Sequence, residues 1–312
     1  MNEGVGSTQP SSHPGRGSAW LQAIRPKTLP VSVVPVLVGS ALAWTELHLF
    51  SIDVLVVACL VSLLIQAGSN LYNDVADFER GGDDPEKRLG PKRAVAQGWL
   101  RADQVRAAAL LALAIAFLSG LYLVTIGGWP IFAAGVISII AALAYSGGPK
   151  PIAYTPLGEL FVWIFFGLVA VGGTYYLQAG RQLTAAALLG GSIVGLPAAA
   201  VLLVNNTRDR DSDREAGRRT FPVIFGVAVS RIQYALFLFS VFPLAWWLGD
   251  WDAWSLVPLL ALPMAIRLVT LFRKTEGGAQ YNEILAATAR FQVLFGFLLC
   301  VGLVAGAMTR SA

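Results

Sequence analysis

Apolar and polar positions along this chain segregate into long blocks, not into the short periods of a water-soluble fold. Mostly apolar blocks fall at 29–46, 53–72, 105–124, 129–146, 157–177, 184–206, 231–248, 253–272 and 290–308. Each is near the roughly 17–25 residues that cross a bilayer as a helix. The pattern predicts an all-α, polytopic membrane helix bundle of about nine transmembrane helices. Pro30 and Pro35 interrupt the first block, which membrane helices tolerate.

Composition agrees. Hydrophobic residues make up 55% of the chain and charged residues 13%, against about 25% charged in soluble domains. The first eighteen residues are rich in Gly, Ser and Pro and lack an apolar core. They read as a disordered tail ahead of a membrane domain over 19–312, and not as a cleaved signal peptide. Cys59 and Cys300 sit inside apolar blocks without metal-ligand spacing, which implies core residues and no disulfide framework. His13 and His48 carry no visible role.

The net charge of +4 changes the picture only through its distribution. Arg and Lys crowd alternate connections: Arg16, Arg25 and Lys27; then Arg80, Lys87, Arg88, Lys92, Arg93 and Arg101; then Lys150; then Arg208 to Arg219; then Arg273 and Lys274. The intervening connections, "TELHLFS", "TIGG", "QAGRQLT" and "GDWD", hold Arg181 as their one basic residue. By the positive-inside rule, the N-terminus and the long loops face the cytoplasm and the C-terminus faces the opposite side of a bacterial inner membrane or its equivalent. Topology accounts for the charge, so no nucleic-acid partner is implied.

Two acidic clusters stand at the ends of the second and sixth blocks. In "SNLYNDVADFERGG", Asn70 and Asp74 are four apart, Asn73 and Asp77 four apart, and Asp74 and Asp77 three apart; in "NNTRDRDSDREAGRR", Asn205, Asp209, Asp213 and Gly217 recur every fourth position. If helix continues through them, each set shares one face. Carboxylates near a helix C-terminus are disfavoured by about 0.3–1 kcal/mol each, so they call for a cation. The neighbouring Arg and Lys on a solvated face are the bland answer. Two matched clusters of oxygen-only ligands favour a hard ion such as Mg²⁺, which takes one or two carboxylates together with substrate phosphates. Two or three Mg²⁺ between facing clusters would hold a diphosphate. Arg88, Lys92, Arg93, Lys150 and Arg208 would meet its remaining charge. A substrate with such a head would lay an apolar tail along walls such as "LFVWIFFGLVAVGGTYY" (160–176).

On these residues the chain resembles the UbiA superfamily of intramembrane prenyltransferases, from about Arg25 to Met308. The stretches "RPKTLPVSVVPVLVGSALA", "RLGPKRAVAQG", "YSGGPKPIAYTPLGELFVWIFFGLVAVGGTYYLQ" and "LLVNNTRDRDSDREAGRRTFPVIFG" are most similar to its 1,4-dihydroxy-2-naphthoate branch, in menaquinone and phylloquinone synthesis. The first motif, Asn-x3-Asp-x2-Asp, departs from the Asn-Asp-x2-Asp-x3-Asp of many relatives and leaves Asp83 or Asp84 open as a further ligand.

The resemblance implies a bundle around a central cavity capped by the motif loops. In it Asn70, Asp74 and Asp77 hold Mg²⁺-diphosphate from one side and Asn205, Asp209 and Asp213 from the other, with Asp74, Asp77, Asp209 and Asp213 catalytic. Asn73, Arg88, Arg93, Lys150 and Arg208 would contact diphosphate; Arg25, Lys27, Tyr145 and Tyr154 would serve the acceptor or the allylic cation. The implied substrates are an allylic prenyl or phytyl diphosphate and 1,4-dihydroxy-2-naphthoate, with 4-hydroxybenzoate, homogentisate or a chlorophyllide as alternative acceptors. An ion-coupled transporter fits less well, because its acids belong near the bilayer midplane.

Overall fold

The computed structural model describes residues 14–81 and 88–311, and every regular element among them is helical. Asp83, Asp84, Lys87 and His13 lie outside the described residues. The elements are α1 (Arg16–Ile24), α2 (Pro30–Leu47), α3 (Ile52–Glu79), α4 (Ala102–Gly127), α5 (Trp129–Ser146), α6 (Gly158–Gln178), α7 (Ala185–Arg208), α8 (Arg210–Glu215), α9 (Phe221–Leu248), α10 (Ala253–Lys274) and α11 (Gln280–Ser311). Nine of them, α2 to α7 and α9 to α11, are long and apolar enough to cross a membrane. This is an integral membrane protein.

Several boundaries differ from the block pattern for identifiable reasons. Helix α1 begins at Arg16, inside the stretch expected to be a tail; its Ala19 and Ala23 bury against Leu71, Val75 and the 94–100 loop. Helix α3 continues past residue 72 to Glu79 and carries the whole first motif. Helix α9 starts at Phe221 and not near 231, because Arg231 is absorbed by packing: its guanidinium donates to the carbonyl of Thr275 at 2.9 Å. Within α9, Gly226 takes φ 79°, a left-handed kink that glycine accepts without steric cost.

Helix α7 is the most deeply buried span, with α2, α6, α9 and α11 packed around it. Its approach to α6 depends on glycine. A Cβ on Gly167 would lie 2.4 Å from the carbonyl oxygen of Gly191, and one on Gly195 would lie 2.7 Å from that of Trp163. Gly191 and Gly195 thus form a small-xxx-small contact used within the chain. Facing it, α6 unwinds into a π-helical segment over Trp163–Val169, a local irregularity that occurs most often at functional sites.

Proline in α2 is answered from another span. Pro35 has no N–H for the carbonyl of Val31, four residues earlier. The fully buried Gln292 of α11 supplies a donor instead, its Nε2 lying 3.2 Å from Val31 O. Ser62 of α3 likewise donates to Ser32 O at 2.6 Å. These bonds tie α2 to both flanking spans, the compensation that a lipid-immersed helix requires.

Candidate active site

A cavity of about 780 Å³ lies among α1 to α7 and α11, while α9 and α10 stay outside it as a buttress. One end is ionic and carries both sequence motifs; the rest is mainly apolar and includes Phe161, Phe165 and Phe166.

The extension of α3 to Glu79 brings Asn70, Asn73 and Asp77 to the wall. Asn70 donates from Nδ2 to Ile24 O at 2.8 Å, so it also anchors the end of α1. The Oδ1 of Asn73 accepts from the hydroxyl of Ser146. Asp77, 6% exposed, is ion-paired to Arg93 and, at 3.2 Å, to Arg218. Asp74 does not line the cavity. It points into the neighbouring loop, where its carboxylate accepts from the backbone N–H groups of Ala94 (3.0 Å) and Val95 (3.3 Å). Asp74 therefore shapes the "PKRAV" loop that delivers Arg93.

On the opposite wall Asn205, Arg208, Asp209 and Asp213 all face the cavity. Helix α7 ends at Arg208, and the short α8 carries Asp213 one turn beyond Asp209, whose carbonyl accepts its N–H at 2.7 Å. Arg208 forms a fork on Asp209, with Nε–Oδ1 at 2.7 Å and Nη2–Oδ2 at 2.6 Å, and also donates to Asn205 and Asn282 at 2.8 Å each. Burial, with repulsion from Asp209 and Asp77, pushes the Asp213 carboxyl up to about 7 against the opposing pull of Arg218 and Thr220. A cation beside it would relieve that cost.

Of the remaining expected residues, Arg25, Lys27, Arg88, Arg93 and Tyr145 line the cavity, whereas Lys150 and Tyr154 do not. Lys150 is exposed on the loop after α5. The Tyr154 ring instead supports two cations, with Arg218 4.5 Å and Arg80 5.5 Å from its centroid. Arg25 sits at φ 59° between α1 and the next turn, and its Nη2 is buried without a hydrogen-bond partner. Burial and the nearby charges of Arg93 and Arg88 lower its pKa to about 9. A guanidinium keeps its proton at neutral pH, so this strain marks a place that favours an anion.

Sequence reading missed Arg218, which it assigned to topology alone. Its proximity to Asp213 was visible, but its link to Asp77 depends on the fold. It also missed Glu159, 2% exposed, whose Oε1 accepts from Asn206 Nδ2 at 2.9 Å while Oε2 has no partner. This contact fixes the Asn206 amide at the cavity wall.

The donor set suits a hard cation, since every motif side chain at the mouth offers oxygen. Among the described residues no three His, Cys, Asp or Glu converge on one point. One wall presents Asp77 and the other Asp209 and Asp213. That arrangement fits Mg²⁺ held by one or two carboxylates plus substrate phosphates better than it fits a closed protein cage.

Fold and site define a polytopic membrane protein whose cavity joins an ionic mouth to an apolar interior. The model of the UbiA prenyltransferase family matches residues 32–286, and the chain belongs to that family. It is a prenyltransferase. It is 34% identical over 305 residues to the 1,4-dihydroxy-2-naphthoate octaprenyltransferase of Escherichia coli, covering 92% of this chain and 96% of that one. It is 32% identical to the enzyme of that name from Bacillus subtilis, covering 97% of each. Among solved structures, a UbiA homolog from Aeropyrum pernix K1 superposes with TM-score 0.68 at 17% identity, over 91% of this chain and 98% of that one. A homolog from Archaeoglobus fulgidus bound to DMAPP and Mg²⁺ gives TM-score 0.59 at 16% identity, over 90% and 99%. At that identity the likeness establishes the fold.

Proposed function

We propose that the enzyme transfers a prenyl group from an allylic prenyl diphosphate to 1,4-dihydroxy-2-naphthoate, with loss of CO₂ and diphosphate, to give a demethylquinol. The observation that carries this reading is the division of one cavity into an ionic mouth, shared by both Asn/Asp motifs and five arginines, and a long apolar interior. That shape suits a diphosphate head and an isoprenoid tail. The naphthoate acceptor is supported by the names of end-to-end relatives.

Asp77, Asp209 and Asp213, with Asn73 and Asn205 beside them, would hold Mg²⁺; Asn70 and Asp74 would act by setting α1 and the Arg93 loop. When bound, the metal supplies Lewis-acid stabilisation of charge on the leaving diphosphate. Arg88, Arg93 and Arg208 bind the same anion by charge-assisted hydrogen bonds, and the allylic C–O bond breaks with its electron pair leaving on diphosphate. Arg25 and Lys27 orient the acceptor carboxylate. The electron-rich ring attacks the allylic cation at the carboxylated carbon, and the carboxylate departs as CO₂, returning its bonding pair to the ring. The charges balance without a general base. Phe161, Phe165 and Tyr145 line the space around the cation and exclude water from it.

The Lys and Arg distribution supports a cytoplasmic mouth and N-terminus, with the C-terminus on the other side. The decisive experiment gives membranes containing the enzyme a labelled allylic diphosphate and a panel of aromatic acceptors, with Mg²⁺ or excess EDTA. Mg²⁺-dependent prenylation of 1,4-dihydroxy-2-naphthoate with CO₂ release is the expected result. Transfer to 4-hydroxybenzoate or homogentisate alone would replace the acceptor assignment.

A further inference from the structure

Glycine inside a helix costs about 1 kcal/mol relative to alanine, because more backbone freedom is lost on folding. Most glycines within the spanning helices have an evident compensation. A Cβ on Gly39, Gly68, Gly167, Gly191 or Gly195 would fall within 3.1 Å of a neighbouring atom, and Gly226 has φ 79°. Of the rest, Gly172 meets only an ordinary contact, Leu183 Cδ1 at 3.5 Å, and three meet none at all. Gly120 in α4, Gly135 in α5 and Gly173 in α6 meet nothing within 4 Å of a built Cβ and have no positive φ. All three line the cavity.

Their positions agree with one another. Gly120 lies eighteen residues after Ala102, the first residue of α4, which a helical rise of 1.5 Å converts to about 27 Å from the motif end. Gly135 lies six residues after Trp129 and Gly173 five before Gln178, each about 8–9 Å from the opposite end by the same rise. The open glycines thus come from three different helices and widen the same remote half of the cavity. Helix packing gains nothing from them there; the cavity gains room.

We infer that Gly120, Gly135 and Gly173 determine how long a prenyl chain the enzyme accepts, by hollowing the part of the cavity reached only by isoprene units distant from the diphosphate. The inference rests on the prenyl-transfer reading and adds the specificity residues for its donor. A donor of one or two isoprene units reacts at the mouth and does not extend to these glycines. A donor of many units must pass them.

The test compares geranyl diphosphate with octaprenyl diphosphate, as donors in turnover and as ligands in thermal-shift measurements without acceptor, for the wild type and for Gly135→Leu, Gly120→Leu, Gly173→Leu and the three alanine variants. A leucine crowding the groove should lower kcat/KM for the long donor by about tenfold. The geranyl value should stay within about twofold in the same variant. The alanine variants should show a smaller change in the same sense, which keeps the test decisive where a leucine variant does not fold. Equal losses for both donors in folded protein, or an unchanged ratio in all six variants, would overturn the inference. Length-dependent binding that the leucines abolish, without transfer to any acceptor, would support the inference while removing the transferase reading.

Discussion

Asp77 and Asp213, from motifs on opposite walls of the cavity, share one guanidinium: Arg218 reaches Asp77 Oδ1 at 3.2 Å and Asp213 Oδ1 at 3.5 Å. The ring of Tyr154 lies beneath that guanidinium at 4.5 Å. The backbone N–H of Arg218 also donates to Asp213 O at 2.8 Å, so the bridge grows from the turn that closes the second motif. The mouth of the cavity is thereby tied across its width.

Cutting this tie leaves two mostly buried carboxylates with less compensation. Loss of one partner of a buried ion pair typically costs about 3–5 kcal/mol. Arg93 still serves Asp77, so Arg218→Gln should fall at or below the low end. The measurement is thermal unfolding in detergent. A clear drop in midpoint is expected, with a smaller one for Tyr154→Leu, which removes only the ring support. An unchanged midpoint for Arg218→Gln would show that the bridge carries no stability.

The two acids of the first motif should part company. Asp77 faces the cavity and Asp74 faces the loop. Asp77→Asn should abolish Mg²⁺-dependent turnover outright, and its melting midpoint should fall as well, because it removes the charge that Arg93 and Arg218 share. Asp74→Ala should leave two N–H groups of the loop without their acceptor, at about 1–3 kcal/mol for each group. It should therefore lower both stability and turnover. Equal melting profiles for Asp74→Ala and wild type would refute the positioning role.

That division shows where sequence reading succeeds and where it stops. The spans were legible because a bilayer demands long apolar helices, and the motifs were legible because carboxylates at the ends of apolar blocks need a cation. Spacing alone put Asn70, Asp74 and Asp77 in one chemical class. Only the fold separates them, since the 94–95 backbone captures Asp74 and Ile24 captures Asn70. Arg218 escaped notice because its link to Asp77 crosses 141 positions of sequence. The blocks at 231–248 and 290–308 open later than α9 and α11 do, since an arginine stands at the head of each: Arg231 is taken up by Thr275 O at the end of another span, and Arg290 stays exposed and returns to Ala286 O of its own helix.

The Asn70 contact makes α1 part of the site. Asn70→Ala removes the donor that holds Ile24 O and, through it, the left-handed Arg25 that follows. A lost hydrogen bond of this kind is worth about 1 kcal/mol. The expected outcome is a severalfold rise in KM for the anionic acceptor, a smaller change for the diphosphate donor, and faster proteolysis around residues 14–30. Parallel rises in both KM values would place Asn70 with the diphosphate instead.

The last prediction concerns α2, whose Pro35 makes it dependent on Gln292 for a hydrogen bond to Val31 O. Both groups lie in the span region, where water cannot replace the missing donor. Gln292→Leu keeps most of the volume but orphans the carbonyl, at a cost of about 1–3 kcal/mol. Gln292→Glu retains shape but offers a donor only when protonated, so burying its charge should destabilise the fold more at alkaline than at acidic pH. If the carbonyl is what Gln292 serves, replacing Pro35 by alanine should recover part of the loss in the leucine variant, because the restored N–H at position 35 can bond Val31 O directly. Double-mutant thermal unfolding reads this coupling. Strict additivity of Gln292→Leu and Pro35→Ala would mean that the two residues stabilise α2 independently.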